Sequence, residues 1–176
     1  MMASDVYARG EWRDFFVMVG GGTAALAGLV FVAMSLNLTI IAQDATHRNR
    51  AIGTLTGFAS VFAICALALL GDQTHLSLGI EWVVVATIAG AIYVLGYFDA
   101  VRSGGSSAAL SLGRVLFGTA CYLSQIVGAS LLIAAHVEGL YLAAGAIVVL
   151  IPYMNSGAWL LLVGVHREQV EEATSE

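Results

Sequence analysis

Five long apolar runs, joined by short polar hinges, occupy almost the whole of this 176-residue chain. Runs of this kind restrict the fold more than any single residue does. Hydrocarbon offers no water to pair with backbone N–H and C=O groups, so only helices and closed barrels can cross it. The runs are too long and too continuous for barrel strands, which need about 9–11 residues of alternating character. The expected fold is therefore all-α, an integral membrane helical bundle of about five transmembrane helices. The spans are expected over residues 15–41, 51–71, 76–98, 108–135 and 139–165.

Composition agrees with this reading. Charged residues make up 11% of the chain, whereas a soluble domain carries roughly a quarter. So few charges cannot cover a water-facing surface. Many of the 20 Gly lie inside the apolar runs. In a soluble helix each would cost about 1 kcal/mol relative to Ala, but in membranes Gly lets helix backbones approach closely. All seven basic residues are Arg, and they are dispersed. No basic patch points to nucleic acid, and no polybasic tail points to anionic lipid. Cys65 and Cys121 fall mid-run and read as small buried hydrophobes.

The first span, 15–41, is longer than a ~30 Å hydrocarbon core requires. Gly20, Gly21 and Gly22 are the expected bend. Residues 1–14 read as a short interfacial helix, capped by Ser4 or Asp5 and anchored by Trp12. They mix acid and base, so they do not resemble a cleavable signal peptide. Gly71 to His75 reads as a tight turn, and the GGSS stretch at 104–107 as a hinge. Residues 166–176 form an acidic tail. Arg48, Arg50, Arg102, Arg167 and Arg114 cluster toward one side of the alternating spans, Arg9 and Arg13 toward the other. The positive-inside rule then places the N-terminus outside and the C-terminus in the cytoplasm.

A few polar residues interrupt the runs. Glu81 lies a turn or two inside the third span, where a carboxylate is costly unless protonated, paired or wet. It reads as a cation or proton site or, in the favoured reading, as an interfacial residue beside Trp82. Arg114 and Asp99 are expected to form a structural ion pair near the opposite face. Asn37, with Ser35 and Thr39 nearby, is expected to hydrogen-bond a neighbouring helix, the alternative being a pore-lining amide. Pro152 frees the carbonyl of Val148 and should kink the fifth span, with Asn155 helping to satisfy it. Ser124 and Gln125 are the natural partners of Asn155 or Asn37. Ala24 with Gly28, and Ala120, Ser124 and Gly128, read as close-packing rows. His75, His136, Asp72 and Glu138 fall in hinges on one side, but their spacing fixes no metal geometry. No metal, cofactor or catalytic constellation is expected, so the chain does not read as an enzyme.

The run TAALAGLVFVAMSLNLTII (Thr23 to Ile41) and the closing NSGAWLLLVGV (Asn155 to Val165) carry a resemblance. With Gln73 after the second span, they resemble a family of small multi-span bacterial membrane proteins of actinobacterial type. The Pro often found before that Gln is replaced here by Asp72. The resemblance implies a bacterial inner-membrane protein and brings no activity with it. The shorter run TAALAGLVFVAM is similar to the pore helix of Orai-type calcium channels. The acidic selectivity position of those channels has no counterpart here, Asn37 being the nearest polar residue.

Two functions fit these features. The first is a homo-oligomeric channel for small ions, with Asn37, Thr39, Thr54, Thr56 and Glu81 along an aqueous path. The second is an accessory or scaffolding subunit acting through a membrane partner, with each intramembrane polar group paired inside the protein. The sequence leans to the channel, because small helical proteins with bent first helices assemble readily into rings.

Overall fold

The computed structural model describes residues 9–43, 45–102 and 108–175. Within these, the side chains of Thr39 and of residues 160–175 are among those outside the description. The expected cap at Ser4 or Asp5, and the hinge at 104–107, lie outside the described residues. The described chain is all-α. Its helices are α1 (Arg9–Leu36), α2 (Leu38–Gln43), α3 (Ala45–Ala68), α4 (His75–Arg102), α5 (Ala108–Ile133) and α6 (Val137–Ser175). Every one except α2 is long and apolar enough to cross a membrane, the layout of a multi-pass membrane protein.

Helices α3, α4, α5 and α6 pack around a common centre, and α1 lies against α3 and touches α6. Phe16, Phe58, Leu78, Trp82, Leu132, Leu140, Ile147 and Leu150 are fully enclosed there. Met18, Leu29, Phe31, Leu95, Leu116 and Trp159 point outward. Apolar side chains on both faces of a helix are what lipid permits and water does not. The Phe16 ring meets Trp82 at 6.2 Å and Trp12 meets Tyr141 at 4.9 Å, both edge-on. These contacts bring the start of α1 beside the starts of α4 and α6. The opposite end holds the start of α3, the end of α4 and the start of α5, where Asn49 Nδ2 donates to Asp99 at 2.7 Å.

The first span departs from expectation in two ways. Its helix runs unbroken from Arg9 through Gly20–Gly22, so Trp12 belongs to the spanning helix itself. The interruption comes at Asn37. There the backbone N–H bonds Met34 at 3.1 Å in a tightened turn, and Nδ2 donates to the Ala33 carbonyl at 3.1 Å. A short amide that competes for backbone groups breaks a helix more readily than glycines whose backbone remains hydrogen-bonded. At the other terminus the acidic tail continues α6 as helix to Ser175, with Pro152 inside. That helix is roughly 58 Å long at 1.5 Å per residue.

Close helix contacts use only some of the small residues singled out in the sequence. A Cβ on Gly128 would meet the Gly139 carbonyl at 2.6 Å and the Ala143 N at 2.7 Å, so α5 and α6 touch backbone to backbone. On α1 the close contact is at Gly20, against Cys65 of α3. Ala24 and Gly28 face outward, with nothing near Gly28. Ala120 is also exposed.

The turns are built locally. Thr74 Oγ1 accepts from the Ser77 N–H at 3.2 Å, and Ser77 Oγ accepts from the Thr74 N–H at 3.0 Å. This reciprocal cap starts α4. After α5, the His136 N–H reaches the Leu131 carbonyl at 3.0 Å and the Ala135 N–H reaches Leu132 at 2.9 Å. This is the Schellman closure, with Ala135 at φ 61 where glycine is the usual occupant.

Two stability changes are expected. Ala135→Gly removes left-handed strain of about 1 kcal/mol and should raise the unfolding temperature in detergent. Gly128→Ala forces α5 and α6 apart, should destabilise by about 1–3 kcal/mol, and should lower that temperature. Thermal melts followed by circular dichroism check both signs.

Candidate functional site

Polar side chains inside the spans gather at three places. The first is the end of the bundle at the α3–α4 hinge. Gln73 is buried there, and its Nε2 donates to Glu81 at 2.7 Å and to the Leu67 carbonyl at 3.1 Å. Ser77 Oγ donates to Gln73 Oε1 at 2.5 Å. Glu81 is half-buried, roughly 9 Å along α4 from its start. The hinge reaches in to pair it through Gln73, which fits the interfacial reading.

The second place is the bundle centre. Trp82 is not an interfacial marker, because one residue of helix turns it fully inward. Its Nε1 donates to Gln125 Oε1 at 3.2 Å, tying α4 to α5. Gln125 is fully buried and takes Trp82 as partner, in place of the expected Asn155 or Asn37. Asn155 is exposed on the outer face of α6, as is Pro152. Thr23 Oγ1 and Gln125 Nε2 are buried without hydrogen-bond partners, as is the Tyr122 hydroxyl, which faces Ser60.

The third place is a half-open cleft of about 120 Å³ among α3, α4, α5 and α6, at the Arg-rich end. Arg50, Thr54, Tyr93, Arg114, Tyr153 and Met154 are among its walls. Tyr93 precedes Asp99, at the end of its span, by six residues, so its ring lies roughly 9 Å inside that end. Their hydroxyls are 2.6 Å apart and lie 3.1 and 2.8 Å from the Arg114 carbonyl. With one proton each, one hydroxyl donates to that carbonyl and the other to its neighbour. The Tyr93 ring fits because position 118 is Gly, where a Cβ would sit 2.6 Å from its oxygen. The Arg114 guanidinium lies over the Tyr153 ring, 5.1 Å from its centre. Thr54 Oγ1 donates to the Arg50 carbonyl at 2.9 Å.

Each member of the expected Asp99–Arg114 pair has its own attachment, Asp99 to Asn49 across to α3 and Arg114 to Tyr153 on α6. An aromatic face near the α5 start holds the guanidinium, while Asp99 stays exposed at the α4 end. Asn37 donates its amide to the Ala33 carbonyl of its own helix. The Thr39 side chain lies outside the described residues. Among the described residues no three His, Cys, Asp or Glu side chains gather to hold a metal. The sequence reading missed Tyr93 and Tyr153. The available signal was a tyrosine inside an apolar run, whose hydroxyl must find a partner there.

Comparison with known protein families, curated proteins and solved structures finds no match to this chain.

Gln73→Leu leaves the half-buried Glu81 carboxylate without its donor and should destabilise by about 1–3 kcal/mol. Glu81→Gln keeps an acceptor oxygen and should destabilise less. Parallel thermal melts of the two variants check the order.

Proposed function

We propose that this chain is an accessory or scaffolding membrane protein, acting through a membrane partner rather than as an ion path. The observation that carries this reading is where the intramembrane polar side chains go. Glu81 pairs with Gln73, Trp82 with Gln125, and Tyr93 and Tyr153 with each other and with the Arg114 backbone. Thr54 and Asn37 bond carbonyls of their own helices. A pore needs these groups along one wetted line. Here they occupy opposite ends of the bundle and its centre, and all but Thr54 and Asn37 tie one element to another, while Thr23 Oγ1, Gln125 Nε2 and the Tyr122 hydroxyl stay buried without a hydrogen-bond partner. Polar groups so used contribute about 0.6–2 kcal/mol each to helix association.

The channel reading keeps one specific support. Ala24 and Gly28 are exposed on the outer face of α1, with nothing among the described residues near Gly28, which leaves that face open to a second copy. A ring built through α1 would place Asn37 near the copy boundary. For either reading the proposed setting is a bacterial inner membrane, with the Arg-rich end and the C-terminus cytoplasmic.

Flux separates the two. Liposomes carrying the purified protein should pass monovalent and divalent cations no faster than empty ones. Glu81→Gln and Asn37→Ala should leave that baseline unchanged. A conductance above baseline that either substitution alters would overturn the accessory reading in favour of the channel.

A further inference from the structure

Asn155 stands apart from the polar side chains that tie the bundle together. It is exposed on the outer face of α6, and no described residue hydrogen-bonds its amide. It lies in an apolar run that continues to Val165. Two residues before it is Tyr153, whose hydroxyl meets that of Tyr93, roughly 9 Å inside the end of α4. The amide therefore faces hydrocarbon, where a polar group without a partner is costly.

The surroundings of Asn155 form a stripe along α6. Tyr141, Gly145, Val148, Pro152, Asn155 and Trp159 are all exposed. Their spacing alternates between four and three residues, the repeat of a seam between two long helices. Nothing among the described residues lies within 4 Å of where a Cβ on Gly145 would be, so another helix has room to come close there. Pro152 has no N–H to give the Val148 carbonyl, which adds a second polar group to the stripe.

We propose that this face of α6 pairs, in parallel, with α6 of a second copy of the chain, the two Asn155 amides hydrogen-bonding each other. Copies inserted in one orientation form a two-fold pair about an axis along the membrane normal. Such an interface is isologous, so residues on the seam meet their own counterparts at equal depth. A charged side chain would repel its copy there. A carboxamide carries both donors and an acceptor, so it is complementary to an identical group. A single Asn on a helix seam fixes register and the number of helices, and Asn bonds helices together in membranes. The exposed face of α1 at Ala24 and Gly28 carries no such group. The pairing stands whether the chain scaffolds or conducts.

The test uses the full chain in phosphatidylcholine vesicles, with donor and acceptor fluorophores on the C-terminal tail. Energy transfer is followed as the protein is diluted in lipid. The unaltered chain should pass from dimer to monomer. Asn155→Leu should weaken association about tenfold, the effect of one interhelical amide bond, and Asn155→Gln, which keeps the amide, should restore most of it. Because position 155 is exposed, both variants should fold, which circular dichroism checks. Oxidative cross-linking with copper phenanthroline gives a second readout. Val148→Cys, on the stripe, should yield a covalent dimer. Leu116→Cys, exposed on α5, should not. Cys65 and Cys121 are buried and set the background. A monomer at every dilution would leave the stripe to lipid or to a different protein and overturn the proposal. Cross-linking through Leu116→Cys but not Val148→Cys would put the second copy on another face and overturn it too. Unchanged association of Asn155→Leu would remove the amide from the interface, with the same consequence.

Discussion

Everything in this structure follows from the absence of water in hydrocarbon. A polar group that enters the bilayer is costly unless it finds a partner in the protein, because the solvent offers none, and Thr23 Oγ1, Gln125 Nε2 and the Tyr122 hydroxyl are buried exceptions. The backbone meets this demand by being helical almost throughout. The side chains meet it in ways that set the architecture. Trp82 and Gln125 join α4 to α5 at the centre. Gln73 reaches from the hinge to hold Glu81. The two tyrosines close α4 and α6 onto the backbone of α5. With lipid as apolar as leucine, burying apolar surface between helices gains little, so these ties and close backbone contacts such as Gly128 on Gly139 set which helices meet.

The same constraint explains why a cleft with two arginines can exist at all. A cation inside a span is tolerated where it is near an end, faces the bundle and has something to rest on. Arg114 has the Tyr153 face, and Tyr153 is in turn fixed by Tyr93. That chain of contacts holds open a small cavity at the Arg-rich end. The cavity is a consequence of glycines as much as of the charges: Gly118 leaves room for the Tyr93 ring, and a Cβ at Gly157, on the cavity wall, would press on Arg114 and Thr54.

The number of spans, their order and their helical nature were legible in the sequence, because continuous apolar length is a signal that needs no tertiary information. The hinge at 71–75 was legible for a similar reason, being local chemistry. Residue partners were not. Trp82 was read as marking the interface beside Glu81, but adjacent helix positions differ by about 100° and so face different surroundings. Gln125 was matched to asparagines by polarity, whereas its partner is an indole N–H. A bend was expected at Gly20–Gly22 on flexibility; the helix stays continuous there and is interrupted at Asn37, where a side chain competes for backbone groups. The cleft was invisible because Arg50, Tyr93, Arg114 and Tyr153 come from separate helices, and only packing brings them together.

The central claim is that intramembrane polar side chains act as ties between helices. A double-mutant cycle on Trp82→Phe and Gln125→Leu, read by unfolding free energy in detergent or bicelles, tests it most directly. A tie predicts coupling of about 0.6–1.7 kcal/mol between the two positions. Additive effects, within about 0.3–0.5 kcal/mol, would mean that the pair does not hold α4 to α5 and would contradict the account.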